Sequence, residues 1–311
     1  MGPPSKVLRS HPTINSKRTS TLAQNTLESH PLAQRVCIVT GASSGIGKET
    51  SKKLARLGAT VVMVCRNQKR GERAMSEIKS ASKNAEVELL LANFASLDSV
   101  RALAREFLEK HDSLHVLVNN AGGVYATRSV TADGFETTFQ VDYLSHFLLT
   151  NLLLDVLEKS APSRIINVSS TSHYGGHLNF DDLQMKKGYG VMKAYSQAKL
   201  AQVLFTYELS RRLEGTGVMV NALHPGAAAT NIWKSPMGPF SFLGNVSRLF
   251  LISPERGAET PTYLASSPEV EGVTGKYYDH MREKQSSAES YDEAAARRLW
   301  NESEKMAGLS T

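Results

Sequence analysis

The sequence predicts an α/β fold, a single doubly wound parallel sheet with helices on both faces, and three observations lead there. Short apolar, β-branched runs alternate with amphipathic stretches of helical length along most of the chain. The first run ends in a turn that holds three glycines, Gly41, Gly45 and Gly47. The chain of 311 residues with 41% hydrophobic content can bury one sizeable core, and it shows no internal repeat.

Taken in order, Val36 to Val39 reads as a buried strand. It is followed by a helix with Glu49, Lys52, Lys53 and Arg56 on its polar side and Ile46, Leu54 and Leu57 on the other. Gly58 closes that helix and Val61 to Val64 makes a second strand, so the opening is one βαβ unit. A helix near Arg70 to Ser82 leads to the strand VELLLA, and one near Leu97 to His111 leads to LHVLVNNAG. A long helix is expected from about Gly134 to Lys159, then the strand RIINVSS, an irregular stretch, a helix from about Val191 to Leu213 and the strand VMVNALHPG. His224 to Ser253 reads as a long loop with Trp233, Phe240, Phe242 and Leu249 to Ile252, the length and composition of a binding loop.

The glycine turn between strand and helix is suited to a pyrophosphate. Glycines let backbone N–H groups approach a phosphate, and the helix start adds partial positive charge. The stretch Gly41, Ser43, Ser44, Gly45, Ile46, Gly47 therefore forms a candidate dinucleotide cradle of the Rossmann type. An acid about twenty residues on would hold the ribose 2′-hydroxyl of NAD. Here the second strand ends Val64-Cys65-Arg66-Asn67 instead. Arg66, with Lys48 directly after the last glycine, offers positive charge to a 2′-phosphate, so NADP(H) is favoured over NAD.

The formal net charge of +6 invites a nucleic-acid partner, but Lys6, Arg9, Lys17, Arg18 and Arg35 against Glu28 place most of it before residue 36. The body lacks a basic stripe, and no nucleic-acid partner is expected. Residues 1–34 are Ser/Thr-rich, basic and acid-poor, a composition that predicts a disordered tail and also suits an organelle transit peptide. The tail has no apolar run long enough for a signal peptide or a membrane helix. The two cysteines, Cys37 and Cys65, fall on expected buried strands, which points to free thiols in a reducing, cytoplasmic setting without disulfide or metal.

Proton chemistry points to the stretch AYSQAKLAQVLF, which sets Tyr195 and Lys199 four apart on one helix face. A neighbouring ammonium is expected to lower the phenol's pKa and make Tyr195 a usable proton carrier. The preceding strand ends Asn167-Val168-Ser169-Ser170, where Ser170 can hydrogen-bond a substrate oxygen and Ser169 is the competing hydroxyl.

Together these segments resemble a classical short-chain dehydrogenase/reductase, and within that family the retinol dehydrogenase-like branch. TGASSGIG at Thr40 to Gly47 is similar to the family's cofactor motif, and NNAG with Asn120, Ala121 and Gly122 to its central-strand motif. NVSS through Ser170, YSQAK at Tyr195 to Lys199, and HPG with Pro225, Gly226 and Thr230 are similar to its catalytic and nicotinamide-side motifs. The likeness runs from about Arg35 to Leu309, giving one domain over 35–311 with a substrate loop at about 224–254. It implies that Tyr195 is the general acid-base, that Ser170 orients the carbonyl, and that Lys199 holds the nicotinamide ribose. Two positions depart from the family pattern. Asn93 replaces the Asp that contacts adenine, and Asp142 replaces the Asn that is the fourth catalytic residue.

Asp142 is expected to act mainly through its backbone carbonyl, although its charge can also oppose phenolate formation. The expected function is NADP(H)-dependent hydride transfer between nicotinamide and a hydrophobic carbonyl or alcohol of retinoid, steroid, polyprenol or aldehyde type. Asp142 motivates a second reading, a cofactor-binding regulatory protein with weak turnover. The apolar segment Phe240 to Ile252 is expected to fold over the pocket, with peripheral membrane contact as the other use, and a homo-oligomer is compatible with the sequence.

Overall fold

The computed structural model describes residues 1–2, 30–226 and 252–309. Its centre is an eight-stranded sheet in the order β3-β2-β1-β4-β5-β6-β7-β8. The first strands are β1 (Val36–Thr40), β2 (Thr60–Cys65), β3 (Val87–Leu91) and β4 (Val116–Asn119). They are followed by β5 (Ser163–Val168), β6 (Val218–His224), β7 (Lys276–Asp279) and β8 (Arg282–Glu283). Every pairing from β3 through β7 is parallel, and β8 runs antiparallel to β7 at the edge. The edge pair β7–β8 is short and carries no long apolar run, so it left no strand signal in the sequence.

Alternate strand residues feed two cores, as a pleat of period two requires. Ile38, Val62, Val64, Leu117, Ile165 and Val220 face one core, while Cys37, Val39, Val61, Met63, Val118 and Ile166 face the other. Helices cover both. The second core is closed by α1 (Gly45–Arg56), α2 (Gln68–Ser82) and residues of Glu259–Ser266. The first is closed by α3 (Leu97–Lys110), the broken helix after β4, the long Val191–Arg212 helix and the C-terminal Glu293–Ala307 helix. Burial on both faces explains why the strands read as continuous apolar runs. Leu32 is buried in the second core, and its N–H reaches the Leu57 carbonyl at 3.0 Å, so ordered packing begins ahead of residue 35. Glu49, assigned by periodicity to the polar side of α1, is buried and pairs with Lys52.

The segment expected as one long helix is divided. Its start is Thr137, not Gly134, because the buried Glu136 carboxylate accepts the N–H groups of Thr138 and Phe139 at 2.9 and 2.8 Å and so caps the helix. After α4 (Thr137–Phe139) comes a π-helical turn, Gln140–Leu144, then α5 (Ser145–Leu152) and α6 (Leu154–Lys159). Single π turns inside helices are frequent at functional sites, and this one carries Asp142. The long helix α7 (Val191–Arg212) is buried at every position from Ala194 to Leu209, because α5 and the C-terminal helix α10 (Glu293–Ala307) cover the side turned away from the sheet. Among the described residues no helix is long and apolar enough to cross a membrane.

Candidate active site

The strand order reverses at β1, whose two neighbours are β2 and β4, and ligands of open α/β sheets bind outside the carboxyl ends at such a point. Thr40 ends β1 and ties the two loops there together. Its Oγ1 accepts the N–H groups of Asn120 and Ala121, each at 2.8 Å, and its carbonyl accepts Asn120 Nδ2 at 2.7 Å. The glycines are required by this close approach. A Cβ on Gly47 would stand 2.5 Å from Asn120 Nδ2 and 2.6 Å from the Gly41 carbonyl oxygen. Gly41 has φ +70, and a Cβ there would lie 2.9 Å from Ala121 Cα.

From this turn a cleft of about 450 Å³ runs across the ends of the strands. Its walls carry Gly41, Ser43, Ser44, Gly45, Ile46 and Gly47 at one end, then Arg66, Arg70 and Asn93, then Asn120, Ala121 and Gly122, and at the far end Tyr195, Lys199 and Pro225. Most residues singled out in the sequence are thus gathered in one groove. Lys48 is elsewhere engaged, its ammonium paired with Glu77 on α2. The second guanidinium on the wall is Arg70, whose Nη2 reaches Ser44 Oγ at 3.4 Å. Gly226 borders a separate cavity of about 330 Å³ with Arg256 and Thr260. Thr230 and the apolar run from Phe240 lie outside the described residues, as does most of the loop expected at 224–254.

The two candidate hydroxyls have different partners, and of the two it is Ser169 that borders the cleft. Ser169 Oγ donates to the Lys199 carbonyl at 2.8 Å and is buried, a structural bond within the helix–strand packing. Ser170 caps the short 3₁₀ turn Thr171–Gly175, its Oγ accepting the Ser172 N–H at 3.1 Å, and it stands near enough to the Tyr195 phenol to pull that group's pKa down. Tyr195 is 7% exposed and Lys199 4%. Lys199 Nζ donates to the Val168 carbonyl at 3.1 Å and to Gln202 Oε1 at 3.0 Å, and stands 3.6 Å from Asp142 Oδ2. It lies 5.4 Å from the centre of the Tyr195 ring.

The titration pattern is the reverse of the sequence expectation. Burial pushes the Tyr195 phenol well above its ordinary value, the Asp142 charge adds to that rise, and the Ser170 hydrogen bond opposes it. Burial also pulls the Lys199 ammonium down, with Asp142 pulling back up. Burial is the largest influence on both groups, so the phenol holds its proton at neutral pH. Position 142 makes contacts through its side chain as well as through its backbone. Its carboxylate accepts the Gly123 N–H at 2.9 Å through Oδ1 and faces Lys199 through Oδ2, fully buried.

The Asp142 carbonyl has its own partner, His146 Nδ1 at 3.1 Å. The other ring nitrogen, Nε2, lies 3.1 Å from Thr40 Oγ1. Burial draws His146 down to about 3, so the ring is neutral. A carbonyl can only accept, which puts the proton on Nδ1 and makes Nε2 the acceptor of the Thr40 hydroxyl. The π turn and the cofactor-side loops are therefore joined through one buried imidazole. His224, which ends β6, is likewise drawn down by burial to about 4. An unfolded imidazole titrates near 6.5, so between these values the unfolded chain binds the extra protons and stability falls as pH drops below that point. The loss reaches about 2 kcal/mol for each ring at pH 5. The thermal midpoint should accordingly be lower at pH 5 than at pH 7, and equal midpoints would contradict the neutral burial of these rings.

Sequence reasoning did not single out Arg70, Gln202 or His146 for the site. Arg70 was visible only as a basic residue at a helix start, four residues after Arg66. The other two act through contacts across the fold, for which a single sequence carries no signal. Among the described residues no group of three or more His, Cys, Asp or Glu side chains is placed to hold a metal ion.

Comparison with known proteins bears on this geometry. Residues 35–237 match the family model described as short chain dehydrogenase. The chain is 48% identical to retinol dehydrogenase 13 of Mus musculus over 282 residues, covering 88% of this chain and 84% of that protein. A crystal structure of an uncharacterized protein from Mycobacterium Paratuberculosis superposes with a TM-score of 0.74 at 32% identity, covering 91% of this chain and 97% of the other. The crystal structure of a single-site variant of actinorhodin polyketide ketoreductase with NADPH matches with a TM-score of 0.61 at 26% identity, covering 78% and 94% of the two chains.

Proposed function

The chain belongs to the short-chain dehydrogenase family of oxidoreductases, in its retinol dehydrogenase-like branch, and from that premise we propose that it is an NADP(H)-dependent enzyme that reduces the carbonyl of a hydrophobic aldehyde or ketone and oxidises the corresponding alcohol. The observation that carries the reading is that Tyr195 and Lys199 share one wall of the cleft that starts at the glycine turn, with Ser170 near the phenol and with Lys199 bonded to the Val168 carbonyl and Gln202 Oε1 and facing Asp142 Oδ2 at 3.6 Å.

The cofactor's place is argued from the cradle. Gly41 and Gly47 leave no room for a side chain where a pyrophosphate backbone must come close, and Arg66 and Arg70 stand where a 2′-phosphate can be paired. When bound there, the nicotinamide supplies the hydride chemistry. The protein's part is local. Ser170 orients the substrate oxygen by hydrogen bonding, and Tyr195, which keeps its proton at neutral pH, gives it to that oxygen as negative charge develops. Lys199 is fixed on the same cleft wall, where its ammonium can hold a sugar hydroxyl. A phenol that stays protonated favours carbonyl reduction at neutral pH, with alcohol oxidation emerging as pH rises. A hydrophobic substrate is inferred from the retinol dehydrogenase relatives and from the apolar composition of the 240–252 segment. The regulatory reading is weaker, because a protein that only binds cofactor has no need of Ser170, Tyr195 and Lys199 at one point.

Consumption of NADPH with a panel of hydrophobic aldehydes and ketones, all-trans-retinaldehyde among them, tests the proposal, and no turnover with any member would favour the regulatory reading. The cofactor preference has its own test. Arg66→Ala should raise the Kd for NADPH by roughly 10- to 100-fold, the loss of one charge-assisted contact, and leave that for NADH nearly unchanged. Parallel weakening of both cofactors would remove Arg66 from the 2′-phosphate.

A further inference from the structure

The ladder between β5 and β6 ends at Val168 and Leu223, two residues short of Ser170. Ser170 is held by its own 3₁₀ turn, its carbonyl accepting the His173 N–H at 3.1 Å and its Oγ the Ser172 N–H at 3.1 Å, and two imidazoles add to that hold. His173 Nδ1 lies 2.6 Å from the Ser170 carbonyl oxygen, and His224 Nδ1 lies 3.2 Å from the Thr171 nitrogen. Those two atoms are the ends of a single peptide group. We propose that His173 and His224 clamp the Ser170–Thr171 peptide from both ends and are positioning residues that aim the Ser170 hydroxyl at the reacting oxygen.

The chemistry of the two contacts fixes opposite tautomers. The carbonyl only accepts, so His173 carries its proton on Nδ1, and its Nε2 is then an acceptor, which is how it meets the Ser287 N–H at 3.1 Å. The peptide N–H only donates, so His224 Nδ1 is bare and its proton sits on Nε2. Both rings are buried, and burial lowers the pKa of each, leaving them neutral as both roles require. The charged and titratable groups around them are Asp279, His280 and Lys284 near His224, with Tyr174 and Tyr277 packed on His173. Through Ser287 the clamp also ties Ser170 to the segment between β8 and α10.

The inference rests on the assignment of Ser170 above, and the test separates the two. NMR of the full-length chain with ¹⁵N-labelled histidine at pH 7, with His173→Asn and His224→Asn used to assign signals, should show protonated Nδ1 at His173 and protonated Nε2 at His224. The same tautomer at both, or an imidazolium at either, overturns the clamp without any appeal to activity. Asparagine can place an amide donor or an amide oxygen where Nδ1 stood, so with all-trans-retinaldehyde and NADPH both Asn variants should keep kcat within about threefold of wild type. His173→Ala and His224→Ala should lose on the order of 10- to 100-fold in kcat with the Kd for NADPH unchanged, as expected for a misplaced catalytic group. Equal losses in the Asn and Ala variants, or none in the Ala variants, reject positioning. Full turnover in Ser170→Ala overturns the catalytic reading and the purpose of the clamp with it. Loss in Ser170→Ala beside intact His173→Ala and His224→Ala overturns the clamp alone.

Discussion

Tyr195→Phe is expected to lower kcat for carbonyl reduction by roughly 10²- to 10⁴-fold, the usual worth of a positioned general acid, while NADPH binding stays within a small factor of wild type. The hydroxyl removed is the one that meets Ser170 at the end of the cleft, whereas the glycine cradle and the two arginines lie at its other end. The ring itself is retained, so the packing of this 7% exposed side chain is preserved and the thermal midpoint should change little. Lys199→Ala should behave differently and weaken both turnover and cofactor binding, because it also removes the group bonded to Val168 and Gln202 and leaves the Asp142 carboxylate buried beside a cavity. Near-normal turnover in Tyr195→Phe on the best substrate found would mean that another group carries the proton.

Asp142→Asn should shift the pH profile of alcohol oxidation toward lower pH by about one unit or more, the effect of removing a like charge that acts on the titrating phenol. The sign follows from the order in which the groups lose their protons. Burial raises the phenol above its ordinary value and lowers the ammonium below its own. Lys199 is therefore neutral by the pH at which Tyr195 ionises, and the charge still opposing the phenolate is the Asp142 carboxylate. His146, the other titratable ring packed on this turn, is neutral throughout that range. With the carboxylate gone, the phenolate forms at lower pH, so oxidation, which needs the basic form, starts earlier, and the alkaline decline of reduction moves down with it. The amide keeps the shape and can still accept the Gly123 N–H. An unmoved profile would show that the carboxylate is neutral in the working enzyme, and a shift to higher pH would show that its support of the Lys199 ammonium dominates.

The fold class was legible in the sequence, and so were the segments that the structure gathers along one cleft. Strand and helix periods are local properties, and the glycine turn, the Asn120-Ala121-Gly122 segment and the Tyr195/Lys199 pair are each contained in a few consecutive residues, so their chemistry was readable one stretch at a time. Arg66 was readable for the same reason. What only the tertiary structure decided are the quantities set by burial and by contacts across the fold. Lys48 pairs with Glu77 on the next helix, a contact the sequence did not show, and Arg70 joins the cleft wall because that helix starts over it. The long helix divided at Asp142 because a carboxylate there meets Gly123 and Lys199, and its carbonyl meets His146. Ser170 was preferred in the sequence with Ser169 as the competing hydroxyl, and only the structure shows that Ser169 Oγ is bonded to the Lys199 carbonyl. The direction of the Tyr195 shift reversed for the same underlying reason: a sequence places an ammonium beside a phenol, but only the packed structure sets how much water each has lost, and here burial raises the phenol and lowers the ammonium.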